Sequence, residues 1–257
     1  MLGKLIKYDL KWVFKVLVVF YILTMVFALL GRGFSLIDNS SIFDFVSKIS
    51  IGTAISLSIS GLINNIMRLW ARFVVNVYKD ESYLTHTLPV KKRDIYLAKV
   101  FSGLITMSVS FIVALINLVI CYSWDTLCDF VKMIVPGDFT VIIVLGLIVI
   151  ALEILFLLFL GYLGIIIGHR YNDNKIVTSI ICSFGIYMGC SFGVLVILLI
   201  LGLFNNDIMQ LFTSSNMVMD AGFLKFILII ALVIYLIYII LCNIVANRLF
   251  SKGVNVE

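Results

Sequence analysis

The sequence predicts an all-α membrane protein with six transmembrane helices, an N-terminal interfacial amphipathic helix, and a short cytoplasmic helix between spans 2 and 3. Three observations carry this. Mean hydropathy is +1.18, and 13% of the 257 residues are charged, about half the usual share in soluble domains. The apolar residues gather in runs long enough to cross a bilayer, which takes about 20 helical residues. Those runs are rich in Leu, Ile, Val and Phe without strict alternation, the pattern of helices rather than barrel strands. Residues 1–257 read as a single membrane domain with no soluble appendage.

The six spans fall at residues 14–30, 49–70, 100–122, 139–168, 176–204 and 223–245. The fourth and fifth exceed what a bilayer needs, so they tilt, protrude or break. Lys and Arg set the orientation. Fifteen of the 19 lie in the termini and the loops on one side, and Arg32, Lys48, Lys132 and Lys225 lie on the other. The rich side is therefore cytoplasmic, with both termini inside. The outer loops lean acidic through Asp38, Asp44, Asp125, Asp129, Asp138, Asp207 and Asp220. The formal charge of +5 is an orientation signal and argues for no nucleic-acid partner. No cleavable signal peptide is evident.

Residues 1–13 are expected to form an amphipathic helix on the inner surface, with Leu2, Leu5, Ile6, Leu10 and Val13 on one face and Lys4, Lys7 and Lys11 on another. The alternative is a basic tail serving topology alone. The outer loop at 31–48 has little regular pattern. In the second span Ser56, Ser60 and Asn64 share one helix face, which should meet protein or water. It serves either interhelical hydrogen bonding or a conduit. Arg68 and Arg72 are expected to snorkel to the inner headgroups. The outer stretch 124–137 suggests a short surface helix. The apolar outer segment at 205–222 is either re-entrant or interfacial. Gly185, Gly189 and Gly193 form a small-residue face suited to helix packing, and Gly161, Gly164 and Gly168 line a second.

Five cysteines show no metal spacing, and no His/Cys cluster, H-E-x-x-H motif or P-loop is present in the sequence. His86 and His169 both fall in cytoplasmic loops. An enzyme is therefore the weaker class, and no metal or cofactor site is expected in this chain. Glu153 is the single ionisable residue deep in a span, where a charge costs about 2.5–3.5 kcal/mol on insertion scales. It either lines a conduit or relays a conformational change, or it is a neutral carboxyl hydrogen-bonded to another span. Ser56, Ser60, Asn64, Asn117 and Glu153 are the candidates to face a central path.

The longest charge-dense stretch, residues 79–99, reads KDESYLTHTLPVKKRDIYLAK. Asp80 and Glu81 suit a helix N-terminus. Tyr83, Leu84, Thr87 and Leu88 make a mostly apolar stripe, and Pro89 stops the helix. Lys91, Lys92 and Arg93 form a basic cluster. A short helix presenting Tyr and Leu can seat its apolar edge in a partner's groove.

This segment resembles the first cytoplasmic loop of ABC-2-type transporter permeases. Asp80, Glu81, Leu84, Leu88, Pro89, Val90, Arg93 and Lys99 stand where that loop carries its acids, leucines, Pro-Val, basic residue and lysine. Ser82 departs from a frequent glycine. The layout of six spans with both termini inside is also similar. The resemblance implies a bacterial cell-membrane permease that pairs with a second permease copy or a similar permease. It also implies a separate ATP-binding cassette subunit, which uses ATP and Mg and docks on this loop as a coupling helix. Export of peptide, antibiotic or lipid-like substrates, including antimicrobial peptide resistance, is what such a likeness suggests. A secondary transporter or channel-like protein using Glu153 as an ion or proton site is the competing expectation.

Overall fold

The computed structural model describes residues 2–37, 41–79, 81–87, 89–123, 126–129, 139–171, 174–204, 208–209 and 221–252. Among them there is no strand. The main helices are α1 (Leu2–Ser35), α2 (Ser41–Val77), α3 (Ser82–Thr87), α4 (Lys92–Tyr122), α5 (Phe139–Gly168), α6 (Lys175–Phe204) and α7 (Ala221–Ser251). All but the six-residue α3 are long and apolar enough to cross a membrane. The chain therefore has the make-up of a multi-pass membrane protein. It divides into two units, one holding α1–α4 and the other α5–α7.

In the first unit α1 packs on α2 and α4, and α2 on α4. The helices approach closely where side chains are small. A Cβ on Gly31 would stand 2.7 Å from the Ile51 side chain, and the Ser47 hydroxyl donates to the Gly31 carbonyl at 2.7 Å. Ala28, Ala54 and Cys121 continue this seam. Polar side chains then tie the three helices inside the apolar bundle. Asn65 donates to Ser110 at 2.7 Å, Ser110 shares a 2.6 Å bond with the Tyr21 hydroxyl, and Asn117 donates to Thr24 at 2.8 Å. Each such bond is worth about 0.6 kcal/mol in lipid, so together they fix the rotation of each helix more than they add stability.

In the second unit α5 packs against both α6 and α7. Gly164 and Gly168 let α6 approach, and a Cβ on Gly168 would fall 2.5 Å from the backbone of Ser179. The turn after α5 is held by Arg170, which donates to the Leu249 carbonyl at 2.6 Å. Asn174 takes a left-handed φ of 44° there, a conformation that asparagine tolerates.

Several sequence expectations are corrected. The helix expected at 1–13 is no separate element. It is the first part of α1, because residues 10–20 contain neither glycine nor proline to break the run. The outer loop expected at 31–48 is mostly helix, since α1 runs to Ser35 and α2 starts at Ser41. At 34 and 37 residues, α1 and α2 are roughly 50–55 Å long, well beyond the ~30 Å hydrocarbon core. The five cysteines are free. Most of the outer stretch 124–137 and of the segment 205–222 lies outside the described residues.

Candidate functional site

The loop between α2 and α4 is built from its backbone upward. The chain winds back on the end of α2: Tyr78 and Lys79 both donate to the Val74 carbonyl at 2.9 and 3.1 Å, and Ser82 donates to Lys79 at 2.7 Å. Tyr78 packs its ring on Phe73, 6.1 Å between centroids. α3 follows with two unlike faces. Ser82 and Thr85 are buried, whereas Tyr83 is 75% and Leu84 65% exposed, and Thr87 is exposed beside them. After Pro89 the chain is extended through Lys91 (φ −64°, ψ 140°), the uncapped entry to α4. Lys91, Lys92 and Arg93 are all exposed there. Asp80 and Leu88 lie outside the described residues.

Beneath α3 sits a charge network that joins α1, α2 and α4 to Glu81, the residue before α3. Lys99 on α4 donates to both oxygens of Asp9 on α1, at 2.7 and 2.8 Å. Arg72 on α2 reaches the same carboxylate at 3.3 Å. Its other end forks onto Glu81 at 2.8 and 2.9 Å, and Asn76 donates to Glu81 at 2.7 Å. Two cations and two anions thus balance in a region where Asp9, Arg72 and Lys99 are nearly dry, their side chains 7%, 13% and 5% exposed. The Trp12 ring backs the cluster, with the Arg68 guanidinium 4.5 Å and that of Arg72 5.2 Å from its centre. Arg72 is therefore spent on ion pairs and not on headgroups as expected: buried Asp9 needs a counter-charge, and Trp12 offers a π face.

A cleft of about 300 Å³ opens at this point, walled by Leu5, Tyr8, Leu84, Thr85 and Ile95 and floored by the ion pairs. Glu81, expected to face a partner, turns inward as a latch. Burial pushes its carboxyl up, but hydrogen bonds from Asn76 and Arg72 and the charges of Arg72 and Lys99 outweigh that and hold it below its ordinary 4.5. A lowered folded value means the latch contributes above the ordinary carboxylate range. It is lost as pH falls through the depressed value. A spin label on Tyr83→Cys should therefore stay restrained from pH 7 to 5 and loosen below 4.5. In a Glu81→Gln background it should be loose throughout, and equal mobility in both backgrounds at pH 7 would remove the latch.

The first-unit residues expected on a central path do not line this cleft. Ser56 and Ser60 are exposed on α2, and Asn64 is half-buried. Asn117 is buried and spent on Thr24. Glu153 belongs to the second unit, half-buried on α5 with the Tyr235 hydroxyl as a hydrogen-bonding neighbour. Gly193 meets the Tyr238 hydroxyl, while Gly185 and Gly189 have nothing within 4 Å. Asp9 and Asn76 were missed by sequence reasoning. Asp9 did leave a signal: it is a lone acid among lysines, and it falls on the apolar face with Leu5, Ile6 and Val13. Among the described residues no three His, Cys, Asp or Glu side chains gather as metal ligands. No protein-family model, curated protein or solved structure matches this chain.

Proposed function

We propose that this chain is the permease subunit of an ATP-binding cassette exporter of the ABC-2 type, resident in a bacterial cytoplasmic membrane with both termini inside. A separate ATP-binding subunit docks on the loop at 79–99, with α3 as the coupling helix, and a second permease completes the assembly. Its cargo is peptide, antibiotic or lipid-like.

The observation that carries this reading is the form of α3. An exposed Tyr83–Leu84 edge stands on a buried ionic base that ties it to α1, α2 and α4. A solvated turn has no need of such a base, whereas a docking helix that transmits force does. A push on α3 passes from Glu81 to Arg72, from Arg72 to Asp9, and from Asp9 to Lys99 at the head of α4. Energy released in the partner then shifts the balance between states only through contacts that differ between them. The exposed Lys91, Lys92 and Arg93 flank this edge and steer an acidic partner surface toward it.

The test is purification of the tagged chain from its native membrane in mild detergent. A stoichiometric ATP-binding protein is expected with it. Leu84→Asp places a charge in the docked edge and should weaken association by about 2 kcal/mol, roughly thirtyfold, while the chain still inserts. Purification without any such subunit would sink the proposal.

A further inference from the structure

The first turns of α1 turn one face to protein and leave another outside. Val13 and Leu17 are fully buried, and Asp9 between these turns is spent on Lys99 and Arg72. The apolar face expected to lie on a membrane surface is thus taken up by packing on α2 and α4. What remains outward is basic and aromatic. Lys4, Lys7, Lys11 and Lys15 are all exposed, and so are Tyr8 and Trp12. At about 100° per residue, Lys4, Lys11 and Lys15 fall within about 40° of one another, with Asp9 well round the helix from them. α2 adds a fifth cation. The Arg68 guanidinium lies 4.5 Å from the centre of the Trp12 ring, and it donates to the Trp12 carbonyl at 3.4 Å. Among the described residues no acid stands within ion-pair distance of these five cations.

This face meets the bilayer at a definable depth. Residues 16–31 carry no charge, so Lys15 marks the border of the apolar core. Lys11 and Trp12 lie within four residues of it, about 6 Å along the axis, which is the depth of one headgroup layer. Tryptophan favours that layer, and Arg68 is brought to the same level by Trp12. Lys4 and Lys7 stand about 12–16 Å from the border and act there through the surface field. A lone amphipathic helix holds a membrane by its apolar side. α1 has given that side to α2 and α4, so its hold on the surface runs through charge. A protein would reach Lys4 and Lys7 from water, whereas Lys11, Trp12 and Lys15 lie among headgroups, which favours lipid. Phosphatidylcholine cancels its own phosphate with choline; an anionic lipid leaves the phosphate free for these cations.

We infer that Lys11, Trp12, Lys15 and Arg68 form a headgroup site for anionic phospholipid, with Lys4 and Lys7 drawing such lipids toward it. As a site on the inner leaflet it rests on the orientation proposed above. As a lipid site it does not, so neither loss of the ATP-binding partner nor a reversed orientation would remove it.

Trp12 fluorescence tests it, in a full-length Trp70→Phe/Trp124→Phe protein reconstituted in phosphatidylcholine vesicles. A small fraction of lipid carries a shallow doxyl quencher, either on phosphatidylglycerol or on phosphatidylcholine. The anionic quencher should act at roughly tenfold lower mole fraction, since each cation at the surface is worth about fivefold in affinity for an anionic bilayer. The preference should vanish near 1 M salt, where the Debye length is about 3 Å. Lys11→Gln/Lys15→Gln should bring the two quenchers close to equal. Lys252→Gln, at an exposed lysine beyond the end of α7, should keep the preference. If the tryptophan variants do not fold, native mass spectrometry of the wild type should show phosphatidylglycerol retained over phosphatidylcholine, and Lys11→Gln/Lys15→Gln should lose that retention. Equal quenching or equal retention in the wild type overturns the site, as does an unchanged preference in Lys11→Gln/Lys15→Gln. Equal quenching together with tight binding of a poly-glutamate peptide assigns the face to an acidic protein instead.

Discussion

Asp9→Leu is expected to lower stability by roughly 3–5 kcal/mol, because it leaves a buried ammonium without its carboxylate. Lys99 gives two short hydrogen bonds to Asp9 and is almost fully removed from water. Without Asp9, Lys99 and the inner edge of Arg72 repel each other in a dry pocket. Lys99→Met alone should cost a similar amount for the opposite reason, leaving Asp9 with only the longer 3.3 Å contact to Arg72. The double variant Asp9→Leu/Lys99→Met should recover most of the loss, since an apolar pair of similar size often replaces a buried ion pair without penalty. Unfolding curves in detergent for the four proteins give the coupling as a double-mutant cycle. Additive losses would mean that the two charges do not stabilise one another.

Gly168→Ala is the second large effect, and its contrast with Gly146→Ala makes it informative. Both glycines lie on α5. A methyl on Gly168 would sit 2.5 Å from the Cα and N of Ser179, which are backbone atoms and cannot rotate away. α5 and α6 must then separate, at about 1–3 kcal/mol. Gly146 has nothing within 4 Å, so the same change there brings only the helix preference for alanine, a gain of up to about 1 kcal/mol. Thermal unfolding of the two variants should move in opposite directions. A shared direction would show that α6 can yield at Ser179.

What the sequence disclosed follows from the range over which each signal acts. The spans are legible because hydropathy accumulates over twenty or more neighbours, and the α5 bounds of 139–168 are those expected. The break between α2 and α4 is legible because charges are dense there and Pro89 punctuates it, although α4 starts at Lys92, inside the loop expected at 79–99. The ionic base is not, since its members at 9, 72, 81 and 99 meet only through three-helix packing. The polar interior shows a finer limit. The Ser56–Ser60–Asn64 face is expected to meet protein or water, and within this chain Ser56 and Ser60 are exposed while Asn65, one residue on, holds the buried bond to Ser110. One residue turns a helix by about 100°, and α2 carries polar residues at 53, 56, 58, 60, 64 and 65, which give no single phase to choose between them. The bonds of Glu81 were equally out of reach: an acid at the head of a short helix gives no sign in sequence of Arg72 and Asn76 beneath it.

The pairing of Asp9 with Lys99 also orders events during synthesis. Asp9 leaves the ribosome ninety residues ahead of its partner, when α1 has only α2 to lean on. Its carboxylate must wait in water, or with Arg72, until the third span enters and brings Lys99 beside it. The N-terminal end of α1 therefore settles last within its unit, although it is made first. Chains stalled before residue 99 should leave Asp9 still wet.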